Sequence, residues 1–440
     1  MAEEVIPEGF KKTEVGVFPK DWDIQFCSAL SERIMVGIVI RPSQYYVKSG
    51  IPAFRSANIR ESGINNSDLV FISEKSNDLL AKSQTREGDV LTVRTGYPGT
   101  SAVVRSDHAG CNCIDILITR PSRRVSPEYL SIWVNSTFGK DQVLMNQGGL
   151  AQQHFNVGDM KNLIVALPKL PEQRAIATAL SDIDALIAGL DQLIAKKRAI
   201  KQAAMQQLLT GQKRLPGFQG DWETKKLGDC LMSFPSYGIN AAAVPYSDRK
   251  PAYIRITDIS VDGRFQPETL VSVDSSRSGQ YYLQDGDIVF ARTGASVGKS
   301  YRYRVQDGKL VFAGFLIRAH PNPKVLSPYF LSEYVKTEAY WKWIKLMSMR
   351  SGQPGVNGNE FAQLPIPLPT IQEQTAIATI LSDMDSELAA LEHRRDKTRL
   401  LKQGMMQELL TGRIRLVDPT PSHTVSDLQV EPNGRRLAVG

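Results

Sequence analysis

Apolar residues recur every three or four positions in two long stretches of the chain. In the first stretch they are Ile176, Leu180, Ile183, Ile187, Leu190 and Ile194. In the second they are Ile377, Leu381, Met384, Leu388 and Leu391. A spacing that averages about 3.5 residues is typical of the seam of a coiled coil. Each stretch is therefore predicted to form one helix of about 40 residues, a rod of about 60 Å at 1.5 Å per residue.

Both stretches carry residues that start and stop helices. Pro171 suits a first helical turn, because an N–H there would have no intrahelical partner. Gly211 and Gly412 each follow a Leu-Leu-Thr segment, where glycine commonly caps a helix in the left-handed conformation. We expect both helices to end just before these glycines.

The two helical stretches are copies of one sequence. Residues 167–215 align without a gap with residues 368–416, and about half of the positions are identical. Weaker matches flank them at nearly the same offset: Asp-Trp ends at Trp22 and Trp222, and an Arg-Thr-Gly loop ends at Gly96 and Gly294. The repeating unit is thus a variable domain of about 150 residues followed by a helix that hardly varies.

The two ends of the chain complete this repeat. After Leu416 the second copy has no Asp-Trp segment, and the missing Val-Phe-Pro-Lys-Asp-Trp lies near the N-terminus, from Val17. Read around a circle, Leu416 continues into Val17. This predicts a pseudo-two-fold, nearly closed arrangement with both termini on one side and the two helices paired as an intramolecular antiparallel coiled coil.

The variable domains mix short apolar strands with turn clusters and a later amphipathic stretch, so the expected fold class is α+β. The predicted boundaries are 1–168 and 213–369 for the variable domains and 169–212 and 370–413 for the helices. Residues 414–440 form a polar tail that we expect to be flexible.

Each variable domain contains a strand, an Arg-Thr-Gly loop and a second strand. The loop of the second domain, Gly294–Ser300, resembles a nucleotide-binding phosphate loop. It has three residues between its glycines where that motif needs four, and an alternating strand pattern follows it instead of a helix. We therefore predict no nucleotide site here.

Composition and motifs exclude several classes of protein. The 42% hydrophobic and 22% charged residues are those of a globular protein, and the net charge of +7 favours a polyanionic partner only weakly. No catalytic motif and no metal-ligand spacing of cysteine and histidine is present, so we expect a non-catalytic chain without metal and with reduced, buried thiols. No apolar segment is long enough for a membrane span, and the start lacks the pattern of a secretory signal, so the expected location is cytoplasmic.

Guanidinium, amide and aromatic side chains on predicted loops are candidates for DNA contacts. In the first domain they are Arg41, Arg55, Arg60, Arg94, Arg105, Gln152, Gln153 and His154. In the second they are Tyr237, Asn240, Arg255, Arg292, Lys299, Arg302, Arg350 and Gln353. Any of these residues could instead serve solubility. Arg94 and Arg292 recur where the domains otherwise diverge, which suits a phosphate contact or a structural role better than base reading.

The repeated segments resemble the conserved regions of a known family. Leu-Pro-Glu-Gln-Arg-Ala-Ile-Ala with its Leu-Leu-Thr-Gly end, and Ile-Gln-Glu-Gln-Thr-Ala-Ile-Ala with the same end, resemble the specificity subunit of type I restriction-modification enzymes. The resemblance covers nearly the whole chain in the order domain, helix, domain, helix. It implies that the variable domains are target-recognition domains and that the helices set the gap between two half-sites.

The resemblance also implies partners. Double-stranded DNA would be read as a bipartite asymmetric target, with half-site centres about one turn, ~34 Å, apart. The helices would bind two modification subunits, which methylate adenine N6 with S-adenosylmethionine, and a restriction subunit that uses ATP and Mg²⁺. Two alternatives are a coiled-coil assembly scaffold that does not bind specific DNA and an enzyme with a dispersed active site.

Overall fold

The structure is a computed structural model that describes residues 6–145, 154–349 and 354–417. Its chain divides into two compact units. The first unit comprises residues 1–189 and 396–440, and the second comprises residues 190–395. The predicted DNA contacts Gln152, Gln153, Arg350 and Gln353, and the tail beyond residue 417, lie outside the described residues.

The strands of the first unit are short. They are Phe10–Thr13 (β1), Gly16–Pro19 (β2), Asp23–Phe26 (β3), Ser31–Val36 (β4), Tyr46–Val47 (β5), Ile51–Phe54 (β6), Ile59–Arg60 (β7), Gly63–Ile64 (β8), Val70–Ile72 (β9), Val90–Val93 (β10), Ser101–Val103 (β11), Asn112–Cys113 (β12), Ile116–Pro121 (β13) and Ile164–Leu167 (β14). Its short helices are Glu74–Leu79 (α1), Pro127–Asn135 (α2), Thr137–Met145 (α3) and Val157–Asn162 (α4). The first long helix is Leu170–Leu209 (α5), which continues into the second unit.

The second unit repeats this pattern with fewer strands. They are Glu223–Lys226 (β15), Leu231–Tyr237 (β16), Ala243–Pro245 (β17), Ala252–Ile254 (β18), Val271–Val273 (β19), Ile288–Ala291 (β20), Ser300–Arg302 (β21), Leu310–Phe312 (β22), Leu316–Pro321 (β23) and Pro365–Leu368 (β24). Its short helices are Pro328–Tyr334 (α6), Glu338–Ser348 (α7) and Gly358–Ala362 (α8). The second long helix, Ile371–Leu410 (α9), also contributes to both units.

Each unit contains the same pair of four-stranded sheets. In the first unit an antiparallel sheet has the order β11-β10-β13-β4, and in the second the order is β21-β20-β23-β16. The other sheet has the order β12-β6-β9-β5 in the first unit and β22-β18-β19-β17 in the second, with one parallel pair in each. The mixed α/β class with two long helices is therefore present, and its sheets are duplicated.

The predicted strand–loop–strand segments are confirmed. β10 and β11 flank the first Arg-Thr-Gly loop, and β20 and β21 flank the second. The segment that resembles a phosphate loop leads into β21, so no helix N-terminus follows its glycines. This difference removes the feature by which a true phosphate loop binds its anion.

The ends of the long helices follow the local sequence. α5 begins one residue before Pro171, and the helices end at Leu209 and Leu410. Gly211 and Gly412 have φ values of +73° and +65°, the left-handed conformation expected after a helix. Each glycine also lies against a tryptophan, Trp222 or Trp22, at 3.2 and 3.1 Å from an ideal Cβ position.

Segments of the two long helices are paired by charged residues inside each unit. In the second unit Lys197 pairs with Glu387 at 2.6 Å, Lys201 with Asp385 at 2.6 Å and Arg395 with Asp191 at 3.5 Å, and Arg198 contacts Glu392. In the first unit Lys402 pairs with Asp184 at 2.7 Å. In the second unit Asp191, Lys197 and Lys201 of α5 pair with Arg395, Glu387 and Asp385 of α9, so these two segments run in opposite directions.

Each unit has a core that joins its domain to the helix segments. In the first unit Ile176, Leu180, Leu409 and Leu410 pack in one cluster with Trp133 and other buried residues of the domain. In the second unit the corresponding cluster includes Met205, Leu208, Ile377 and Leu381. The helix ends are therefore part of the hydrophobic core of each unit.

Candidate DNA-binding residues and the repeated helix junction

The Glu-Gln pair at the start of each long helix forms a buried junction with the domain. The Gln173 side chain accepts a hydrogen bond from the Ser126 backbone N–H at 2.8 Å and donates to the carbonyls of Arg124 and Pro168. Gln374 repeats this pattern: it accepts from Ser327 N–H at 2.8 Å and donates to the carbonyls of Val325 and Pro369. Ser126 and Ser327 are the N-caps of α2 and α6, so the glutamine fixes the long helix to the start of a domain helix.

The glutamate next to each glutamine binds an arginine that follows the other long helix. Arg415 donates to Glu172 at 2.5 and 2.8 Å and to Asp21, and its guanidinium carbon lies 5.8 Å from the centre of the Trp22 ring. The hydrogen bonds with Glu172 and Asp21 raise the pKa of Arg415. The same contact lowers the pKa of the Asp21 carboxyl. Residues from near both ends of the chain therefore meet in the first unit.

The second unit builds the same junction within one continuous segment of the chain, residues 190–395. Arg214 donates to Glu373 at 2.6 and 2.7 Å, and its guanidinium carbon lies 5.5 Å from the centre of the Trp222 ring. The Trp222 Nε1–H donates to Glu373 at 3.2 Å. The Glu-Arg-Trp cluster was not among the predicted site residues. Its arginines, Arg214 and Arg415, recur at the same offset as the helices, and this recurrence is the feature of the sequence that could have identified them.

None of the eleven residues predicted for the helix seam is exposed. The buried ones are Ile176, Leu180, Leu190, Ile194, Ile377, Leu381 and Leu388, and the half-buried ones are Ile183, Ile187, Met384 and Leu391. A second set on the same helices is exposed: Leu186, Leu193, Ile200, Leu400 and Leu401. The apolar side of each helix is therefore divided into a covered seam and an uncovered remainder.

The predicted DNA contacts of the first unit do not form a single cluster of free side chains. Arg41 and Arg60 are exposed, as is His154, and Arg105 pairs with Glu128 at 2.8 Å. Arg55 donates to the Asp68 carbonyl at 2.5 Å. Arg94 donates to the carboxylate of Asp115 at 2.8 Å. Two of these guanidinium groups are therefore held by carboxylates of the same unit.

The predicted contacts of the second unit are distributed similarly. Arg255 binds Asp258 at 2.8 and 3.0 Å, a contact that raises the pKa of the arginine. Arg292 lies over the Tyr237 ring, with its guanidinium carbon 5.1 Å from the ring centre. Asn240 is exposed.

Lys299 and Arg302 line a cavity of about 1140 Å³ in the second unit. Arg302 is 5.1 Å from the centre of the Tyr329 ring. Arg198 and Lys201 of α5 also line this cavity, and the Lys201 ammonium lies 2.6 Å from a carboxylate oxygen of Asp385 and 3.7 Å from one of Glu333. The structure thus places two predicted DNA contacts of the domain and two basic residues of α5 in the lining of one cavity.

Residues 6–145, 154–349 and 354–417 contain no group of three or more His, Cys, Asp or Glu side chains arranged to bind a metal ion. The four cysteines are free and buried, and burial raises the pKa of Cys27 to about 11. Within the same ranges, neither long helix nor any shorter one has the length and hydropathy of a membrane-spanning segment.

Comparison with known proteins identifies the class. The family model described as the type I restriction modification DNA specificity domain matches residues 122–196 and 219–400, more than half of the chain. The chain therefore belongs to this family. It is a specificity subunit, a non-catalytic targeting subunit of a type I restriction-modification enzyme.

Individual relatives cover nearly the whole chain. The specificity subunit of the type I restriction enzyme StySPI from Salmonella potsdam is 22% identical over 427 residues, covering 91% of this chain and 90% of that protein. The S subunit of a type I restriction-modification system from M. genitalium matches with a TM-score of 0.53 at 15% identity, covering 88% of this chain and 96% of the other. A solved chain from a study of complex assembly and conformational transition of the type I R-M system gives a TM-score of 0.56 at 16% identity, covering 90% and 99%. At these identities the two structural matches concern the fold alone.

Proposed function

We propose that this specificity subunit reads a bipartite, asymmetric DNA target with two recognition domains, residues 1–168 and 213–369. The observation that carries the proposal is the repeated junction: Gln173 and Gln374 make the same three buried hydrogen bonds, while the domains they support differ in sequence. A constant support with variable domains suits a protein whose two halves recognise different base sequences. Identical domains would instead favour a palindrome.

The two long helices, within residues 169–212 and 370–413, act in this proposal as an intramolecular antiparallel coiled coil. The order of the ion pairs in the second unit, the Lys402–Asp184 pair in the first unit and the covered seam support it. A helical spacer has a fixed rise per residue, so it would hold the two half-sites at a constant separation. The number of unspecified bases between the half-sites would follow from helix length.

The partners in this proposal are those of a type I system acting on double-stranded DNA. The helices would bind two modification subunits that methylate adenine N6 with S-adenosylmethionine, and a restriction subunit that uses ATP and Mg²⁺ would join them. No cofactor is assigned to this chain itself. Because the substrate is cellular DNA, the proposed location is the cytoplasm.

A binding experiment tests this function against that of an assembly scaffold. The full chain with its cognate modification subunit is mixed with duplex DNA, and affinity is measured as salt is increased. We expect binding whose log affinity falls steeply with log salt, because phosphate contacts release counterions, and which prefers one sequence over unrelated duplexes. Absent or salt-insensitive binding would favour the scaffold.

A further inference from the structure

The two Arg-Thr-Gly arginines are held in different ways. The Arg94 Nη1 donates to Asp115 Oδ1 at 2.8 Å, and the Thr95 hydroxyl donates to the other carboxylate oxygen at 3.0 Å. Asp115 itself has a φ of +50°, a conformation that few non-glycine residues adopt. The Asp115 carboxylate thus joins the start of the loop, just after β10, to the start of β13, and the arginine is part of that connection.

Strand register identifies the residues at the same places in the second unit. Val93 pairs with Ile116 in the first unit, and Ala291 pairs with Leu316 in the second, each just before its Arg-Thr-Gly loop. Asp115, which precedes Ile116, therefore corresponds to Phe315.

The strand next to β13 and β23 shows a second exchange. Leu117 pairs with Val36, whereas Ile317 pairs with Tyr237, so an aromatic ring replaces an aliphatic side chain. Two substitutions have therefore changed the surroundings of the second arginine: a carboxylate has been lost and a ring has been gained.

Arg292 has the contacts expected from this exchange. Its guanidinium group lies over the Tyr237 ring, and its backbone N–H donates to the Phe315 carbonyl at 3.1 Å. Among the described residues, no carboxylate forms an ion pair with it. Phe315 is 57% exposed and Tyr237 is 42% exposed, so the arginine lies in a surface cluster of Tyr237, Arg292 and Phe315.

We propose that Arg292, supported by Tyr237 and flanked by Phe315, binds a phosphate of the DNA, whereas Arg94 is a structural residue of its own domain. This inference rests on the proposed function. A guanidinium group stacked on a ring can present its two terminal NH₂ groups to a phosphate, whereas the Nε of Arg292 is buried and does not take part in this contact. To make the same contact, Arg94 would have to break its ion pair with Asp115 and leave that carboxylate without a positively charged partner. The two equivalent arginines of the repeat therefore have different roles, one in DNA binding and one in the structure of its domain.

The test compares Arg292→Ala with its repeat counterpart, Arg94→Ala, in the full chain with its modification subunit. One probe is a duplex that contains the sequence methylated by the wild-type complex, and the other is an unrelated duplex. For Arg292→Ala we expect affinity for both duplexes to fall on the order of tenfold and the log-salt slope to shrink by about 1. For Arg94→Ala we expect affinity to change by less than about twofold at a temperature where it is folded, and the unfolding midpoint to fall.

A second variant tests the exchange itself. Phe315→Asp supplies Arg292 with the carboxylate that Arg94 has, so we expect it to weaken DNA binding as Arg292→Ala does, while Phe315→Asn has a smaller effect. In the Arg292→Ala background, Phe315→Asp should lower the affinity for DNA by less than about a further twofold, because its effect acts through the arginine. An equal loss in both backgrounds would show that the new carboxylate acts directly on DNA and would overturn this reading.

Two further results separate this inference from the function on which it rests. If the wild-type complex discriminates its target and Arg292→Ala binds equally well, the phosphate contact is wrong and the function stands. If Arg94→Ala weakens binding as much as Arg292→Ala with an unchanged unfolding midpoint, the division of roles is wrong. A wild-type complex that does not discriminate any target would contradict the proposed function.

Discussion

A buried hydrogen-bonding role explains why both copies of the repeat carry glutamine at the same position. Gln173 and Gln374 are 1% and 0% exposed, and each satisfies one backbone N–H and two carbonyls. A buried backbone group without a partner is costly, so few side chains can replace this amide. The constraint comes from the fold and applies whatever DNA sequence the domains read.

Gln173→Glu tests this role at the residue scale. The carboxylate can still accept from Ser126 N–H, but it cannot donate to the two carbonyls and places negative charge against them. We expect the free energy of unfolding of the first unit to fall by about 2–4 kcal/mol. Denaturant unfolding measures the change, and Arg174→Ala, at an exposed neighbouring position, is the control. Equal, small effects of both variants would contradict the account.

Residue contacts that join distant parts of the chain were beyond sequence reasoning. Arg94 recurs in the sequence as Arg292, but its partner Asp115 lies 21 positions away and is replaced by Phe315 in the second domain. Arg415 and Asp21 are separated by 394 positions. Periodicity reports local structure, whereas such pairings depend on the tertiary fold.

The long helices and the strands around the Arg-Thr-Gly loops were predictable at the scale of elements. Heptad spacing fixed the two helices because it repeats over many turns, and the glycines marked their ends. The order of strands in the sheets was not predictable, since the parallel pairs β6–β12 and β18–β22 join segments far apart in sequence. Nor could the sequence predict that Lys299 and Arg302 line the same cavity as Arg198 and Lys201 of α5.

Two glycines inside the helices give a prediction about stability. An ideal Cβ at Gly189 or Gly404 meets no atom within 4 Å, so each Gly→Ala substitution should raise the free energy of unfolding by about 1 kcal/mol. Gly412→Ala is the matched contrast, because its Cβ would lie 2.4 Å from Pro19 Cγ and its φ is +65°. In thermal unfolding, the midpoint of Gly404→Ala should lie above that of the wild type, and the midpoint of Gly412→Ala should lie below it. A lower midpoint for Gly404→Ala would contradict the open helical position.

The spacer role of the helices gives a second prediction at this scale. Four residues inserted after Gly189 and four after Arg395 lengthen both helices between the two units and leave the contacts within each unit in register. Four residues add about 6 Å of helix, so we expect the gap between half-sites to grow by one or two base pairs. Methylation-site mapping measures the gap. An unchanged gap in a complex that still methylates would contradict the spacer.

The whole molecule repeats one unit with different surface chemistry. Each unit combines two four-stranded sheets, a Glu-Gln junction and a Glu-Arg-Trp cluster, and the first unit completes its cluster with Asp21 and Arg415 from opposite ends of the sequence. The duplication and the circular order of the sequence were readable from the repeat itself. Which bases each domain reads was not, because base contacts depend on side-chain geometry in the groove.

The most direct test of the central claim is methylome sequencing of cells that carry this chain with its cognate modification subunit, beside cells in which residues 17–150 come from another specificity subunit. The account predicts one bipartite, asymmetric methylated motif for the first strain. For the second it predicts a motif with one half-site exchanged and the other half-site unchanged. A palindromic motif, or a change in both half-sites, would contradict it.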